Sequence, residues 1–358
     1  MINKGMIKSS RIASLDGLRA VSIGLVCLGH LAGTVNFPEL LLPLHNVGNF
    51  GVKIFFVISG FLITLLLLEE KNRNGKINLK QFYLRRTIRL FPAFYFYILC
   101  IAVAEQFGFI NLLPGDLLHA ASYTMNYHSE RAWWLNHTWS LAVEEQFYLL
   151  WPGLICLLGV LRAKNIAIAA LILIPIVRII MWYGLDASPS AMTRQFEAIA
   201  DALATGCLLA YLYQAGITLP KWCRSRLFIL VPISMIVLPS ILYKIDNGLF
   251  YTLGQSYINL TAALIVLRYI SVSEGFSYQI LNSKPAIWLG AMSYSLYLWQ
   301  EPFLNSWVTN WYASWPINLL LTFVCACFSY YLVEKPIMNL KYRLFSVNNP
   351  SPKAVEIS

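Results

Sequence analysis

Ten long apolar runs constrain this chain more than any other feature of its sequence. They lie at about residues 15–34, 50–68, 88–106, 138–160, 165–184, 198–214, 226–243, 251–270, 285–307 and 315–334. A helix that crosses a bilayer needs about 20 mostly apolar residues. Because no water satisfies backbone groups there, such runs form helices. The expected fold class is an all-α polytopic membrane protein with about ten transmembrane helices.

The composition excludes the main soluble alternatives. Only 12% of the residues are charged and 58% are hydrophobic, whereas a soluble domain carries about 25% charged residues. The first apolar run contains Asp16, Arg19 and His30 and has no small-residue cleavage site, so it is interpreted as a retained membrane helix and not a signal peptide. The seven cysteines show no paired metal-ligand spacing, so no metal site is expected.

The basic residues are distributed unevenly around these runs. With the N-terminus inside, 22 of the 27 fall on the cytoplasmic side of ten spans, which is the bias of the positive-inside rule. The five that do not are Lys53, Arg131, Arg178, Arg194 and Lys244. Both termini are therefore expected in the cytoplasm. Topology accounts for most of the +10 net charge, and no nucleic-acid partner is expected.

The segment at residues 112–137 is ambiguous, because it is apolar in its first half and polar, then aromatic, in its second. It is interpreted as a re-entrant or surface segment. The alternative, an eleventh span, would reverse the topology of everything that follows and place later basic clusters outside. The expected domains are a membrane domain over residues 1–343 and a short polar tail over 344–358.

Arg19 and His30 lie in the first run, eleven residues apart. That is about three helical turns, so both side chains project from one face, about 16 Å apart along the axis. A fixed cation near the membrane edge and a titratable imidazole deeper inside indicate a reaction path. The alternative is that Arg19 only anchors the topology and His30 is a hydrogen-bonded interior histidine.

Three arginines, Arg85, Arg86 and Arg89, stand at the expected cytoplasmic edge of the third span. A guanidinium can bond two phosphate oxygens at once. The concentration of arginine, where lysine would serve topology equally, favours a phosphate-bearing ligand. Topology alone or contact with lipid headgroups are the alternatives.

Two adjacent glutamates, Glu144 and Glu145, lie inside the fourth apolar run. Charge is expensive there, so each is a functional candidate. Because neighbouring helix positions differ by about 100°, at most one of them can face a given cavity squarely. A carboxylate near His30 would orient the imidazole and stabilise its charged form. In the second run, Ser59 precedes Gly60, which suits a close helix contact or a close approach of substrate.

Together these segments resemble the membrane acyltransferase 3 family. The matching blocks are residues 15–20 with His30, 51–64, 82–89 with Pro92, 139–141 with Glu144, 201–203 with Gly206, 293–299 and 334–336. They occur in order and cover residues 11–340. One departure is Gln300-Glu301-Pro302, where many members have a histidine before the acidic or polar residue, and it bears on acceptor choice.

The resemblance implies acyl transfer from cytoplasmic acyl-CoA to a carbohydrate hydroxyl, in the bacterial cytoplasmic (inner) membrane. The acyl group expected from it is acetyl. The acceptor would be lipopolysaccharide O-antigen, an exopolysaccharide or another glycan, lipid-linked in some members. The other expected partner is membrane lipid. Because the chain ends soon after the last run, a stand-alone form is expected.

The same resemblance, combined with the buried charges, gives the candidate site. Its catalytic residues would be His30, as general base or through an acyl-His30 intermediate, with Glu144 and Glu145. Acyl-CoA would be bound by Arg19, Arg85, Arg86 and Arg89, and the substrate contacted by Ser59, Trp139, Gln300 and Glu301. The main rival function is a secondary transporter of an organic anion or a lipid-linked sugar, and a structural subunit of an envelope complex is a third reading.

Overall fold

The protein is helical throughout the part that the computed structural model describes, residues 12–217 and 219–339, and no β-strand occurs in those ranges. The boundary of the membrane domain at residue 343 and the polar tail over 344–358 lie outside the described residues.

The α-helices vary widely in length. They are α1 (Ala13–Leu31), α2 (Gly48–Asn74), α3 (Leu79–Gln106), α4 (Asp116–Ala121), α5 (Trp133–Asn136), α6 (Thr138–Leu158), α7 (Val160–Ile179), α8 (Pro189–Arg194), α9 (Phe196–Ile199), α10 (Asp201–Gln214), α11 (Lys221–Arg224), α12 (Leu230–Ile245), α13 (Asn247–Leu249), α14 (Gln255–Ser271), α15 (Phe276–Leu281), α16 (Lys284–Ala291), α17 (Ser293–Trp299) and α18 (Ile317–Ser329). Short 3₁₀ segments lie at Glu39–Asn46, Met125–Tyr127, Arg226–Ile229 and Trp311–Ala313. Three π-helical segments lie at Ile180–Gly184, Phe250–Gly254 and Tyr330–Glu334.

Eight helical segments in the described ranges are long and apolar enough to cross a membrane. This supports a multi-pass membrane protein. Two of the ten runs differ from the expectation. The run at 198–214 forms α10, which has only 14 residues, and the run at 285–307 is divided at Met292 into α16 and α17. The count of ten and the cytoplasmic position of both ends stay predictions.

The ambiguous segment at residues 112–137 contains only short helices. The longest of them, α4, has six residues, and α5 has four. No continuous helix therefore crosses a bilayer within this segment, in line with its interpretation as a re-entrant or surface segment.

The helix α2 lies at the centre of the fold and packs against α1, α6, α10 and α14. Its contact with α10 is close because glycines face each other across it. A Cβ atom at Gly60 would lie 2.1 Å from the Leu203 carbonyl oxygen, and one at Gly206 would lie 2.2 Å from the Val57 carbonyl oxygen. Both obstacles are backbone atoms, so the two helices can approach this closely only with glycine at these positions.

We expect Gly60→Ala to destabilise the protein by about 1–3 kcal/mol, because an inserted methyl group forces α2 and α10 apart. The melting temperature of the detergent-purified protein, followed by size-exclusion chromatography after heating, measures this effect. Gly24→Ala is the matched control, since a Cβ at Gly24 in α1 would meet nothing within 4 Å. Equal melting temperatures for the two variants would contradict the close α2–α10 contact.

The start of α3 is fixed by a side-chain cap. The carboxamide oxygen of Asn78 accepts a hydrogen bond from the Gln81 backbone N–H at 3.0 Å, which satisfies one of the free donors at a helix N-terminus. The preceding helix ends at Gly75, which has φ of +71°, a conformation that favours glycine. This turn fixes the first residue of α3, the helix that carries Arg85, Arg86 and Arg89.

Candidate functional site

Two neighbouring chambers adjoin each other inside the helices. The arginine chamber has a volume of about 70 Å³, and its polar lining residues are Arg19, Ser59, Arg86, Arg89, Ser140, Glu144, Tyr148, Ser293, Tyr294, Tyr297 and Glu334. The histidine chamber has a volume of about 830 Å³ and is lined in part by His30, Lys53, Trp133, Asn136, His137, Trp139, Arg194, Tyr297 and Glu301. Val52 and Tyr297 line both chambers, so the two chambers adjoin at these side chains.

The helix α1 lies along both chambers, as the predicted common face of Arg19 and His30 requires. Arg19 lines the arginine chamber and His30, on the same helix, lines the histidine chamber. The helix α1 thus contributes one functional candidate to each chamber.

The arginine chamber gathers cations from two helices. Arg19 comes from α1, and Arg86 and Arg89 come from α3. The guanidinium carbon of Arg86 lies 3.8 Å from the centroid of the Tyr148 ring, a cation–π contact that holds it in place. Arg85 is exposed and is not among the described residues that line the chamber. Of the four predicted donor-binding arginines, Arg85 thus lies outside the chamber lining, although it shares α3 with Arg86 and Arg89.

Two carboxylates face these cations. Glu144 accepts a hydrogen bond from the Ser59 hydroxyl, and the Tyr148 hydroxyl donates to Ser59 Oγ at 3.1 Å. Glu334 accepts from the Ser295 hydroxyl at 2.8 Å. Three guanidiniums against two carboxylates leave this chamber with a surplus of positive charge, which suits an anionic ligand.

Glu145 occupies a different position from its neighbour. One of its carboxylate oxygens is buried and has no hydrogen-bond partner among the described residues. Glu145 is not among those that line either chamber. The expectation that only one of the two adjacent glutamates can face a cavity is met, and that one is Glu144.

His30 is held by an amide and not by a carboxylate of α6. Its Nδ1 lies 2.5 Å from Gln300 Oε1, and its ring makes an edge contact with Trp133 at a centroid distance of 5.2 Å. Because an amide oxygen only accepts, Nδ1 carries the proton in this arrangement and the Nε2 lone pair is left to accept one. The predicted partnership of His30 with Glu144 or Glu145 is not observed, because Glu144 belongs to the other chamber.

A second histidine, His137, was missed by sequence reasoning. Its Nδ1 lies 2.7 Å from Glu301 Oε2, and its backbone N–H donates to the same oxygen at 2.9 Å. The Trp133 indole N–H donates to the Glu301 carbonyl at 2.9 Å. His137 Nε2 is buried and has no hydrogen-bond partner in the described ranges. The available signal was a histidine directly before a helix that contains intramembrane glutamates.

The remaining predicted substrate residues fall into both chambers. Trp139 lies in the histidine chamber, with the Arg194 guanidinium carbon 5.9 Å from its ring centroid. Arg194 donates to Asn136 Oδ1 at 2.8 Å. Ser59 instead lines the arginine chamber. Gln300 is fully buried and does not line the histidine chamber, but it contacts His30, which does.

Another intramembrane acid of the sequence has a structural partner. Asp201 forms a buried ion pair with Arg178 at 2.9 Å. Arg178 also donates to the Ala198 carbonyl at 2.9 Å. Removing one partner of such a pair would leave an uncompensated buried charge, so substitution of either residue should destabilise the protein.

Comparison with known proteins places this geometry in a family. A family model described as "Acyltransferase domain" matches residues 12–334. The chain is 30% identical to the peptidoglycan O-acetyltransferase OatA of Listeria monocytogenes, over 91% of its own length and 56% of the relative's. It is 30% identical to the putative peptidoglycan O-acetyltransferase YrhL of Bacillus subtilis, over 94% and 56% of the respective chains. It is 31% identical to the O-acetyltransferase OatA of Staphylococcus aureus, over 94% and 58%.

The chain thus spans a little over half the length of these curated relatives. No solved structure matches it.

Proposed function

Since the chain belongs to the acyltransferase family whose model it matches, we propose that it is a membrane O-acetyltransferase that moves an acetyl group from acetyl-CoA to a hydroxyl of a glycan. The observation that carries this proposal is the pair of adjoining chambers. One presents three arginines, the other presents a histidine with a free ring nitrogen, and Val52 and Tyr297 line both.

The arginine chamber is the proposed donor site. Its volume of about 70 Å³ is well below the 300–1,000 Å³ or so of a pocket that encloses a whole ligand. We therefore place only the acyl-bearing end of the donor inside it. The phosphates of coenzyme A would stay at the mouth, within reach of Arg86, Arg89 and the exposed Arg85. By the positive-inside prediction this mouth faces the cytoplasm.

His30 is the proposed general base. Its Nε2 would take the proton of the attacking sugar hydroxyl while the hydroxyl oxygen bonds to the thioester carbonyl carbon. The carbon–sulfur bond then breaks, and the coenzyme A thiolate takes up the proton that His30 had accepted, which restores the neutral imidazole. Gln300 keeps Nδ1 protonated, which fixes the tautomer that this step needs.

The histidine chamber is the proposed acceptor site. Its volume of about 830 Å³ accommodates a sugar unit, and Trp133 and Trp139 offer aromatic faces with which a sugar ring can pack. The matched relatives carry the names of peptidoglycan O-acetyltransferases, so peptidoglycan is the first glycan to test. Lipopolysaccharide O-antigen and exopolysaccharide are the further candidates. The bacterial cytoplasmic membrane is the proposed location.

The proposal is tested with the purified protein, acetyl-CoA and a panel of these glycans. Release of coenzyme A that depends on the glycan, with the mass of one acetyl group added to the glycan, supports it. A transporter of an organic anion or a lipid-linked sugar would move its substrate without releasing coenzyme A. Such uptake without acetylation would overturn the proposal.

A further inference from the structure

Five basic residues do not fit the cytoplasmic side of the topology, and the structure gathers all five around the histidine chamber. Lys53, Arg194 and Lys244 line the chamber. Arg131 donates to the hydroxyl of Ser190 at 2.5 Å, and Ser190 lines it as well. Arg178 does not line the chamber, but it bonds Ser256, which directly follows the lining residue Gln255.

These five come from separate parts of the chain, namely α2, the segment before α5, α7, α8 and α12. The sequence alone gives no reason for their meeting. A topological role does not account for them either, because the positive-inside rule places basic residues on the opposite side.

Lys53 is the most informative of the group. It is 5% exposed, lines the chamber, and its Nζ has no hydrogen-bond partner among the described residues. The nearby carboxylate, Asp201, is already bonded to Arg178 at 2.9 Å. A buried ammonium without a hydrogen-bonded partner is costly, so its retention calls for a ligand that satisfies it.

The chamber offers little negative charge of its own. Glu301 is the one acidic residue among the described residues that line it, and its Oε2 is bonded to His137 at 2.7 Å. Arg131 stays charged at neutral pH, although burial, followed by the charge of Arg194, lowers its pKa to about 10. Among the described residues that line the chamber, Lys53, Arg194 and Lys244 therefore outnumber the single acid Glu301.

We propose that the histidine chamber contains a binding site for an anionic group of the acceptor, with Lys53 and Arg194 as its direct ligands. This rests on the proposed function and deepens it, because it selects acceptors that carry a carboxylate or a phosphate beside the reacting hydroxyl. Arg194 supplies a planar fork for two oxygens, and Lys53 supplies a compact charge. Because Lys53 and Arg194 line the histidine chamber and not the arginine chamber, this anion would be distinct from the phosphates of the donor.

The test uses the full chain in detergent and three probes built on one disaccharide of N-acetylglucosamine and N-acetylmuramic acid. The first carries the free lactyl carboxylate and the second is its methyl ester. The third is the methyl ester linked to a polyprenyl diphosphate. Dissociation constants are measured by quenching of tryptophan fluorescence, since Trp133 and Trp139 line the chamber, and acetyl transfer is measured in parallel.

We expect the carboxylate or the diphosphate probe to bind about tenfold or more tightly than the neutral ester. Lys53→Met should abolish that preference, so that the anionic probes bind no more tightly than the ester. Arg194→Gln should reduce the preference as a second variant. Lys76→Met, at an exposed lysine between α2 and α3, is the matched control and should retain it. If the carboxylate probe gains affinity, the recognised anionic group is a carboxylate; if the diphosphate probe gains affinity, it is a phosphate.

Equal affinities for all three probes, or an anion preference that Lys53→Met leaves intact, would overturn the anion site. Either result leaves acetyl transfer itself standing. Conversely, anion-dependent binding that Lys53→Met removes supports the anion site even where no acetyl group is transferred. In that case the proposed function fails while the binding site holds.

Discussion

His30→Ala should lower the rate of acetyl transfer by about 10²–10⁴-fold, the typical contribution of a general base. The imidazole is the group that can take a proton from the acceptor, since its Nδ1 is engaged by Gln300 at 2.5 Å and its Nε2 is free. Donor binding should survive, because His30 does not line the arginine chamber in the described structure. Turnover is measured as acetylated glycan, and donor affinity with a non-hydrolysable acetyl-CoA analogue.

The matched control for that substitution is His119→Ala. His119 lies in α4 and stacks on His128 at a ring-centroid distance of 4.3 Å, outside both chambers, so its loss should leave turnover near that of the parent protein. Gln300→Leu, which keeps the imidazole but removes its amide partner, should lose a smaller part of the rate. Normal activity of His30→Ala would show that His30 is not the base.

Arg86→Ala should weaken binding of the acetyl-CoA analogue by about tenfold to a hundredfold, the effect of losing a charge-assisted hydrogen bond to phosphate. The guanidinium lies in the arginine chamber, stacked on Tyr148 at 3.8 Å, and its Nε has no hydrogen-bond partner in the described part of the chain. An acceptor atom of the bound acetyl-CoA could therefore accept a hydrogen bond from this N–H. Isothermal titration with the analogue measures the effect.

Two further variants separate charge from packing at this position. Arg86→Lys keeps the charge but loses the planar fork, so its affinity should lie between those of the parent protein and Arg86→Ala. Arg73→Ala, at an exposed arginine in the last turn of α2, should bind the analogue like the parent. An unchanged affinity of Arg86→Ala would remove Arg86 from the donor site.

The helical membrane fold follows from the sequence because long apolar runs have few other ways to satisfy their backbone. Eight segments of the described chain are long enough to span. Of the exceptions, α10 and α17 are largely buried among other helices, whereas α16 has Gly290 as its one buried residue. Apolarity therefore predicts a helix in the membrane domain, but it does not tell whether that helix is continuous and long enough to cross a bilayer.

The site was predictable where one helix carries the information. The eleven-residue spacing places Arg19 and His30 on one face of α1, and they line the two chambers in that order. The partner of His30 was not predictable. Whether Glu144 or Glu145 faces a chamber depends on the rotation of α6 about its own axis. The bond between Ser59 of α2 and Glu144 is made in the observed rotation, and one sequence does not reveal it.

The sequence marked Gln300 as a departure from the family pattern and as a candidate substrate contact, but it did not predict a bond to His30. In the structure the side-chain oxygen of Gln300 lies against His30 Nδ1. The carboxylate of the adjacent Glu301 lies against His137 Nδ1. Two neighbouring residues after α17 thereby orient two histidines. These two contacts join positions 164 and 270 residues apart, and no periodicity within a single helix reveals them.

The most direct test of the central claim, that donor and acceptor meet between two adjoining chambers, is a sided transfer measurement in proteoliposomes of known orientation. Acetyl-labelled acetyl-CoA is supplied at the arginine-chamber side, and a membrane-impermeant glycan acceptor is supplied either on the same side or on the opposite one. We predict labelled glycan only in the opposite-side arrangement, with all coenzyme A remaining on the donor side. Transfer only when both substrates share one side, or passage of coenzyme A across the membrane, would contradict the claim.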